Sequence, residues 1–488
     1  MNVRKERAAV QDLPSLVRSQ EALGFGLAAM YVTEPCALRP RTLETVIVSD
    51  NEIVRISSVL ENMEFPSLTP HIPAANIYER EISEMSGVVP VDHPDMRPLK
   101  LRRVCDHSYP LKKDCDVERI FRDVPIPRNE MIGDGIFEIP VGPIHAGVIE
   151  PGHFRFTVAG EPVLYMHTYL GYKYRNVEKL LETSVDKNNT YLTERISGDN
   201  AIAHSMAYLQ ALESDVDIPV RAQYIRTVLA ELERMYYLMS GISGIALDTA
   251  LSVPASEGYA LKERMLRLND AVTGHRMLRG FLRPGGVRRD IPEELYEGIE
   301  LDLMHLKLDL DELFDSMVAS PSFLDRAERT GILTQDTAVK LRTVGPIARA
   351  SGVNYDVRKN HPYAAYNRVR MKVSVEIGGD VYSRLKVKKD EISESVSIIT
   401  QCLDTMEPGE LSCDVTTSDG VHLGMTESPR GEVLHSMHVM NGRIWRYKIR
   451  DASFPNWPAL EQAVLGNIIP DFPLINKSFD LSYSGNDL

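Results

Sequence analysis

The pattern that most constrains this chain lies in its middle, where Ile225, Val228, Leu229, Leu232, Met235, Tyr236 and Met239 recur at three- and four-residue intervals. The same spacing returns in Leu295, Ile299, Leu303, Leu306, Leu310, Leu313 and Met317. Apolar residues at that period share one face of a helix, so both segments predict amphipathic helices that bury a stripe in a common core. Methionines within such stripes read as core rather than as cofactor contacts. Asp290 is the expected N-cap of the second helix, with Pro292 in its first turn. Ile392, Val396, Ile399 and Leu403 mark a further helix.

Strand signals lie on either side. RTLETVIVSD (41–50) has strand character, and HFRFTV and VLYMHT flank Ala159, Gly160, Glu161 and Pro162, a sequence suited to a hairpin turn. RVRMKVSVEIGG (368–379) alternates strictly, with Val369, Met371, Val373, Val375 and Ile377 on one face, and predicts a strand. Asn441-Gly442 sits between alternating segments and predicts a type I′ hairpin. The proline-containing DVPIPRNE (123–130) reads as a linker. The expected fold is α+β: a small α/β domain over 1–122 and a large, mainly helical domain with antiparallel hairpins over 123–488.

With 69 acidic and 55 basic residues the net charge is −14, which removes the electrostatic footprint that nucleic-acid binding needs. The local concentration of basic residues at 97–113 reads as a solvated face. No uninterrupted apolar run reaches the roughly 18–20 residues of a membrane helix; GISGIALDTALSV (241–253) is short and contains Asp248. The charged start, MNVRKERAAVQDLP, lacks the apolar stretch of a secretory signal, so a cytoplasmic location is expected. Cys36, Cys105, Cys115, Cys402 and Cys413 form no C-x-x-C pair and read as free thiols. FLRPGGVRR lacks the G-x-G-x-x-G spacing of a dinucleotide site, and there is no cysteine set for an iron–sulfur cluster. The chain is therefore expected to bind no cofactor itself.

The segment IYEREISEMSGVVPVDHPDMRPL (77–99) resembles the E-R-E…H-P-D-x-R motif of the thirty-kilodalton subunit of respiratory complex I, with Glu79, Arg80, Glu81, Gly87, His93, Pro94, Asp95 and Arg97 matching and Glu84 in place of the usual aspartate. From residue 141 onward, VGPIHAGVIEPGHFRF (141–156), GYKYRNVEK (171–179), FLRPGGVRRDIP (281–292), RASGVNYDVRKNHPY (349–363), ESPRGEVLHS (427–436) and DASFPNW (451–457) resemble the catalytic large subunit. That subunit is shared by complex I, as its forty-nine-kilodalton subunit, and by nickel–iron hydrogenases. Fusion of the two parts and the form Glu150–Arg155 resemble the hydrogenase-4 and formate hydrogenlyase branch.

Two further segments, RISGDNAIAH (195–204) and SFDLSYSGNDL (478–488), resemble the paired cysteine motifs that hold nickel and iron in that family, with the cysteines replaced by Ser197, Asn200, Ser482 and Gly485. Nickel and iron in such a site require thiolate sulfur, so the resemblance implies the scaffold without its metal. It further implies that His153 lies beside a quinone headgroup as proton donor, that Asp248 interacts with His153, and that Gly198 replaces a tyrosine that contacts the quinone. Glu150 matches a proton-transferring acid, and Arg430 matches an arginine facing the metal cavity. His204 ends the first degenerate motif on a predicted helix and is expected to be packed at the cavity. Arg349, Asp356 and Arg358 read as a buried ion-pair cluster.

The resemblance implies a subunit at the cytoplasmic face of a membrane-bound complex. It takes electrons from a small iron–sulfur partner, passes them to a quinone or another small acceptor, and works with antiporter-like and complex I-like membrane subunits that move ions. Two other expectations stay open: a redox-silent adaptor, and a hydrogenase subunit with non-cysteine ligands.

Overall fold

Strands Val3–Arg7, Ile53–Val59, Thr42–Val48 and Gly26–Thr33 form the N-terminal sheet in that order, the first pair parallel and the others antiparallel. The structure is a computed structural model and describes residues 3–36, 39–104, 109–115, 122–127, 131, 133–145, 149–185 and 187–488. Leu27, Met30, Leu43, Ile47, Val54 and Ile56 pack with Leu13, Val17, Tyr78 and Ile82 of helices Leu13–Glu21 and Asn76–Ser86. Ala28, Ala29, Val46, Val48 and Ile53 join the large core that holds the rest of the chain. Because the sheet buries apolar residues in both cores, the N-terminal unit is built to sit against the larger one.

Polar contacts reinforce that seam. The Tyr31 hydroxyl lies 2.6 Å from Ser436 Oγ and 2.8 Å from His438 Nε2. Lys100 pairs with Glu81 at 2.7 Å, and Lys448 bridges Glu81 and Glu178 at 2.6 and 3.1 Å. Lys100 is 2% exposed against Glu81, so the basic stretch from 97 onward is a solvated face only in part: Arg103 is exposed, whereas Lys100 is buried. Residues 105–108 of that stretch, Cys105 included, lie outside the described residues, as do 128–130 of the expected linker.

The first apolar stripe belongs to helix Val220–Asp248, and the second to Tyr296–Val318, which buries Ile299, Leu303, Leu306, Leu310, Leu313 and Met317 as the spacing requires. Ile392, Ile399 and Leu403 are buried on helix Val381–Thr405, which packs on Val220–Asp248. The hairpin about Gly160 joins strands His153–Ala159 and Val163–Tyr169. Asn441 and Gly442 take φ of 50° and 69°, the left-handed pair of a type I′ turn, between strands Gly431–Met440 and Arg443–Arg450.

Two local expectations fail. Asp290 caps no helix: a 3-10 turn, Glu293–Leu295, intervenes before Tyr296, and the Asp290 carboxylate instead accepts from Arg221 Nε at 2.8 Å. The alternating segment 368–379 forms no strand. It runs beside helix Val381–Thr405, where Gln401 and Glu394 accept the Arg370 and Lys372 amides at 2.9 Å each. Side chains of a helix thus take the place of a neighbouring strand, and Ile377, on the face expected to be buried, is exposed.

The ion-pair cluster is present and larger than expected. Arg349 bonds Glu391 and Glu427 at 2.6 and 2.8 Å, and Arg358 bonds Asp356 and Glu231 at 2.7 and 3.1 Å. Arg234 completes it at 3.4 Å from both Glu231 and Glu391, with every member essentially sealed from water. Among the described residues, no helix is long and apolar enough to cross a membrane.

Glu233, on the long helix, accepts the Ile202 and Ala203 amides at 2.6 and 3.0 Å and so satisfies the first turn of helix Ala201–Leu212. Burial pushes its carboxyl from 4.5 up to about 8. The folded chain therefore holds a proton there between those values that the unfolded chain has released, and stability falls as pH rises through that window. Glu233→Gln is expected to flatten this fall. Thermal unfolding of both proteins at pH 5 and pH 8 checks it, and an identical pH dependence in the variant contradicts it.

Candidate functional site

The four positions of the degenerate motifs converge. Ser197 lies in the loop leading to helix Ala201–Leu212, and Ser482 caps the terminal helix Tyr483–Asp487 by accepting the Gly485 amide at 2.9 Å. Their hydroxyls, 285 residues apart in sequence, meet at 2.8 Å in the interior. Arg430 reaches them from the tight turn between strands Gly420–Ser428 and Gly431–Met440. Its guanidinium donates to Ser197 Oγ at 3.3 Å, to the Asn200 side-chain carbonyl, to the Asp480 carbonyl at 2.8 Å, and to both Asp199 oxygens at 2.8 and 2.9 Å. It also lies 4.2 Å from the Tyr237 ring centroid. Burial works against this charge, but Asp199 and Tyr237 outweigh it and hold the guanidinium well above its ordinary pKa.

The fourth position is filled from another side. A Cβ built on Gly485 would meet the Asp451 carboxylate at 2.7 Å. Asp451 accepts from His204 Nε2 at 2.9 Å, His204 Nδ1 faces His435 Nε2 at 3.0 Å, and His435 Nδ1 faces the Tyr447 hydroxyl at 2.8 Å. Tyr447 donates to His435, His435 to His204, and His204 to the acceptor-only carboxylate, so one proton arrangement satisfies the whole buried chain. Burial raises the Asp451 carboxyl, yet the His204 hydrogen bond prevails and holds it down at about 2.

A nickel–iron pair does not fit these residues. Hydroxyls, an amide and a glycine replace the thiolates, a permanent cation stands within hydrogen-bond distance of two of the positions, and a carboxylate occupies the side-chain space of another. Among the described residues, no group of three or more His, Cys, Asp or Glu side chains is arranged to hold a metal. His204 is packed, as expected, but both ring nitrogens are engaged, so it does not line an acceptor cavity.

The remaining residues of the expected site are spread around this pocket. His153 begins the strand beside Ile136–Val141; its Nδ1 faces the Gly142 carbonyl at 3.1 Å, and its Nε2 accepts from Arg155 Nε at 3.3 Å. Burial, assisted by the Arg155 charge, lowers its pKa, so the ring is neutral with the proton on Nδ1. Asp248 does not orient it. That carboxyl ends the long helix, where burial raises its pKa and Lys477 and Arg326 oppose the rise. The expected pair is separated because local cations serve Asp248, whereas a strand neighbour serves His153.

Glu150 accepts the Ser484 amide at 2.9 Å and so abuts the rebuilt pocket. Gly198 is exposed, its φ lies outside the left-handed region, and a Cβ added there meets no atom within 4 Å. The position where the resemblance places a phenol is open space beside Asp199 and Ser197. Sequence reasoning missed Asp199, Asp451, His435 and Tyr447. Asp199 occupies a variable position of its motif, and the others are brought in by folding alone.

Gly198 and Gly485 thus predict opposite outcomes. Gly485→Cys should cost about 1–3 kcal/mol, the usual range for overpacking a filled site, while Gly198→Tyr should leave stability unchanged. Unfolding of the two variants checks this, and a neutral Gly485→Cys would show that Asp451 yields the space freely.

Comparison with known proteins identifies the family. The family model of the respiratory-chain NADH dehydrogenase 30 Kd subunit matches residues 3–120, and that of the 49 Kd subunit matches 249–419 and 412–487. Formate hydrogenlyase subunit 5 of Escherichia coli K12 is 34% identical over 451 residues, covering 89% of this chain and 79% of the relative. Hydrogenase-4 component G of the same organism is 35% identical, covering 88% and 76%. The fused C/D polypeptide of the NADH-quinone oxidoreductase of Phocaeicola vulgatus is 28% identical, covering 93% and 91%. The chain carries the 30 Kd and 49 Kd parts in one polypeptide and belongs to the family of fused subunits that complex I-type NADH dehydrogenases share with the hydrogenase-4 and formate hydrogenlyase systems.

Proposed function

We propose that this chain is the acceptor-side subunit of a membrane-bound, complex I-like oxidoreductase. It takes electrons from an iron–sulfur cluster in a small partner subunit and passes them to a quinone or similar small oxidant, with membrane subunits of the antiporter and complex I type coupling the transfer to ion movement. The chain binds no cofactor of its own, lies peripherally on the cytoplasmic face and has no nucleic-acid partner. One observation carries the proposal: Arg430 and Asp451 fill the metal positions, yet the adjoining surface at Gly198 stays open. A pocket reduced to a structural relic has no need of that opening.

Reduction of a quinone takes two electrons and two protons. His153 supplies one proton in this account: the neutral ring takes up a proton from water at Nε2 and passes it to the reduced acceptor. Its lowered pKa makes the protonated ring a stronger acid than an ordinary histidine, and the Gly142 carbonyl orients the ring where Asp248 was expected to interact with it. Arg155 must release Nε2 before that nitrogen can serve an acceptor. The same Arg155 contact favours a second possibility, a redox-silent adaptor that keeps the fold to clamp partners, since it engages the remaining ring nitrogen.

His153→Ala in the assembled complex is expected to slow acceptor reduction by about 100-fold, as loss of a general acid does, while reduction of the partner cluster by its donor is unchanged. Asp248→Asn is expected to leave the pH dependence of acceptor reduction unchanged, because Lys477 and Arg326, not His153, surround it. Rates of the donor-to-cluster and cluster-to-acceptor steps, measured separately, check both. Wild-type acceptor reduction in His153→Ala would favour the adaptor.

A further inference from the structure

Outside the Arg430 pocket, one buried histidine holds an exposed hydroxyl. Ser214 lies just past the end of helix Ala201–Leu212, about 18 Å along that helix from Asn200. Its Oγ is 2.6 Å from His422 Nδ1, and the other ring nitrogen, Nε2, is 2.9 Å from the Ser418 carbonyl oxygen. Ser214 is exposed, whereas His422, on strand Gly420–Ser428, is only 9% exposed.

The segment before that strand wraps the helix end and fixes this geometry. Thr417 Oγ1 donates to the Leu212 carbonyl at 2.7 Å, and the Ser418 amide and hydroxyl both donate to Asp215 Oδ2, at 2.9 and 2.7 Å. A carbonyl oxygen only accepts, so the proton of the neutral imidazole stands on Nε2 and Nδ1 is left as a base. Ser214 is therefore the donor in the 2.6 Å bond. A hydroxyl bonded to a base that a third group orients is the arrangement that activates a serine nucleophile. Exposed serines such as Ser19 and Ser256 give their hydroxyls to backbone carbonyls instead, which cannot take the proton.

We infer that Ser214 is a nucleophile that accepts an acyl group from a thioester, with His422 as its base. Ser214 Oγ bonds to the acyl carbon as the carbon–sulfur bond breaks. His422 Nδ1 takes the hydroxyl proton and returns it to the leaving thiolate, so the products are a serine ester and a thiol, with no oxidation or reduction. The surroundings select this donor. Asp215 and Asp217 flank the serine, and hydrogen bonds from Ser418 hold the Asp215 carboxyl below the ordinary carboxylate range. A phosphoryl donor or product would bring negative charge against them, whereas the reacting end of a thioester is neutral. The ester leaves Ser214 with no hydrogen to give. Acylation thus opens the bond between helix Ala201–Leu212, which carries His204, and strand Gly420–Ser428, which leads to Arg430.

The native complex is incubated with phenyl thioacetate and digested, and acetylated serine peptides of this chain are quantified by mass spectrometry. Ser214 is expected to be acetylated at least about 100-fold faster than Ser256, the range for base-assisted proton transfer. His422→Gln keeps an amide that can bond to Ser214 and to the Ser418 carbonyl but removes the base, and it is expected to bring Ser214 down to the Ser256 rate. Equal rates at Ser214 and Ser256 in the wild-type complex, a comparison that needs no variant, would overturn the inference. Undiminished acetylation of Ser214 in His422→Gln would overturn it as well, since the histidine would then not be the activating base.

Discussion

The arrangement depends on one buried cation. Arg430 ties together three stretches that are distant in sequence: the loop holding Ser197, Asp199 and Asn200, its own turn, and the C-terminal segment through the Asp480 carbonyl. Removing water from a guanidinium is costly unless partners replace it, and a partner left alone is costly in turn. Each of these segments is therefore held by the others. The turn itself is fixed from behind, since a Cβ on Gly345 would collide with the Arg430 carbonyl. The guanidinium that the resemblance places at the metal cavity is thus satisfied here by protein groups.

Asp451 extends the same logic to the other side of the pocket. Its carboxylate takes the volume that Gly485 leaves free and ends a line of two histidines and a tyrosine, all inaccessible to water. Gly485 and Asp451 are complementary: a side chain at 485 would displace the carboxylate, and loss of the carboxylate would leave His204 with an unmatched buried donor. Together Arg430 and Asp451 join the degenerate metal positions into a hydrogen-bond network, and Gly198 beside it is exposed.

Much of the fold is legible in the sequence because burial leaves a periodic trace. The stripes from Ile225 and Ile299 onward, the Gly160 hairpin and the Asn441-Gly442 turn are each specified locally. The segment 368–379 misleads for a physical reason: alternation of residue types does not say what supplies the backbone hydrogen bonds, which here come from side chains of a helix and not from a neighbouring strand. Asp290 misleads because a residue suited to capping is equally suited to an arginine such as Arg221. In the site, the motifs identify Ser197, Asn200, Ser482, Gly485 and Arg430, which the structure brings together. Motif matching also joins His153 to Asp248, which the structure keeps with different partners, because a match of residue types carries no information about which cation lies nearest. Asp199 and Asp451 leave no trace, since a single carboxylate has no periodicity and their partners are far along the chain.

The central claim is that this pocket holds no metal, because Ser197, Asn200, Ser482 and Gly485 stand where thiolates would bind it and protein hydrogen bonds satisfy the groups around them. Elemental analysis of the purified native complex, read as moles of nickel per mole of this chain, tests that most directly. The expected result is no stoichiometric nickel. One nickel per chain would contradict the claim and return the pocket to metal chemistry through ligands other than cysteine.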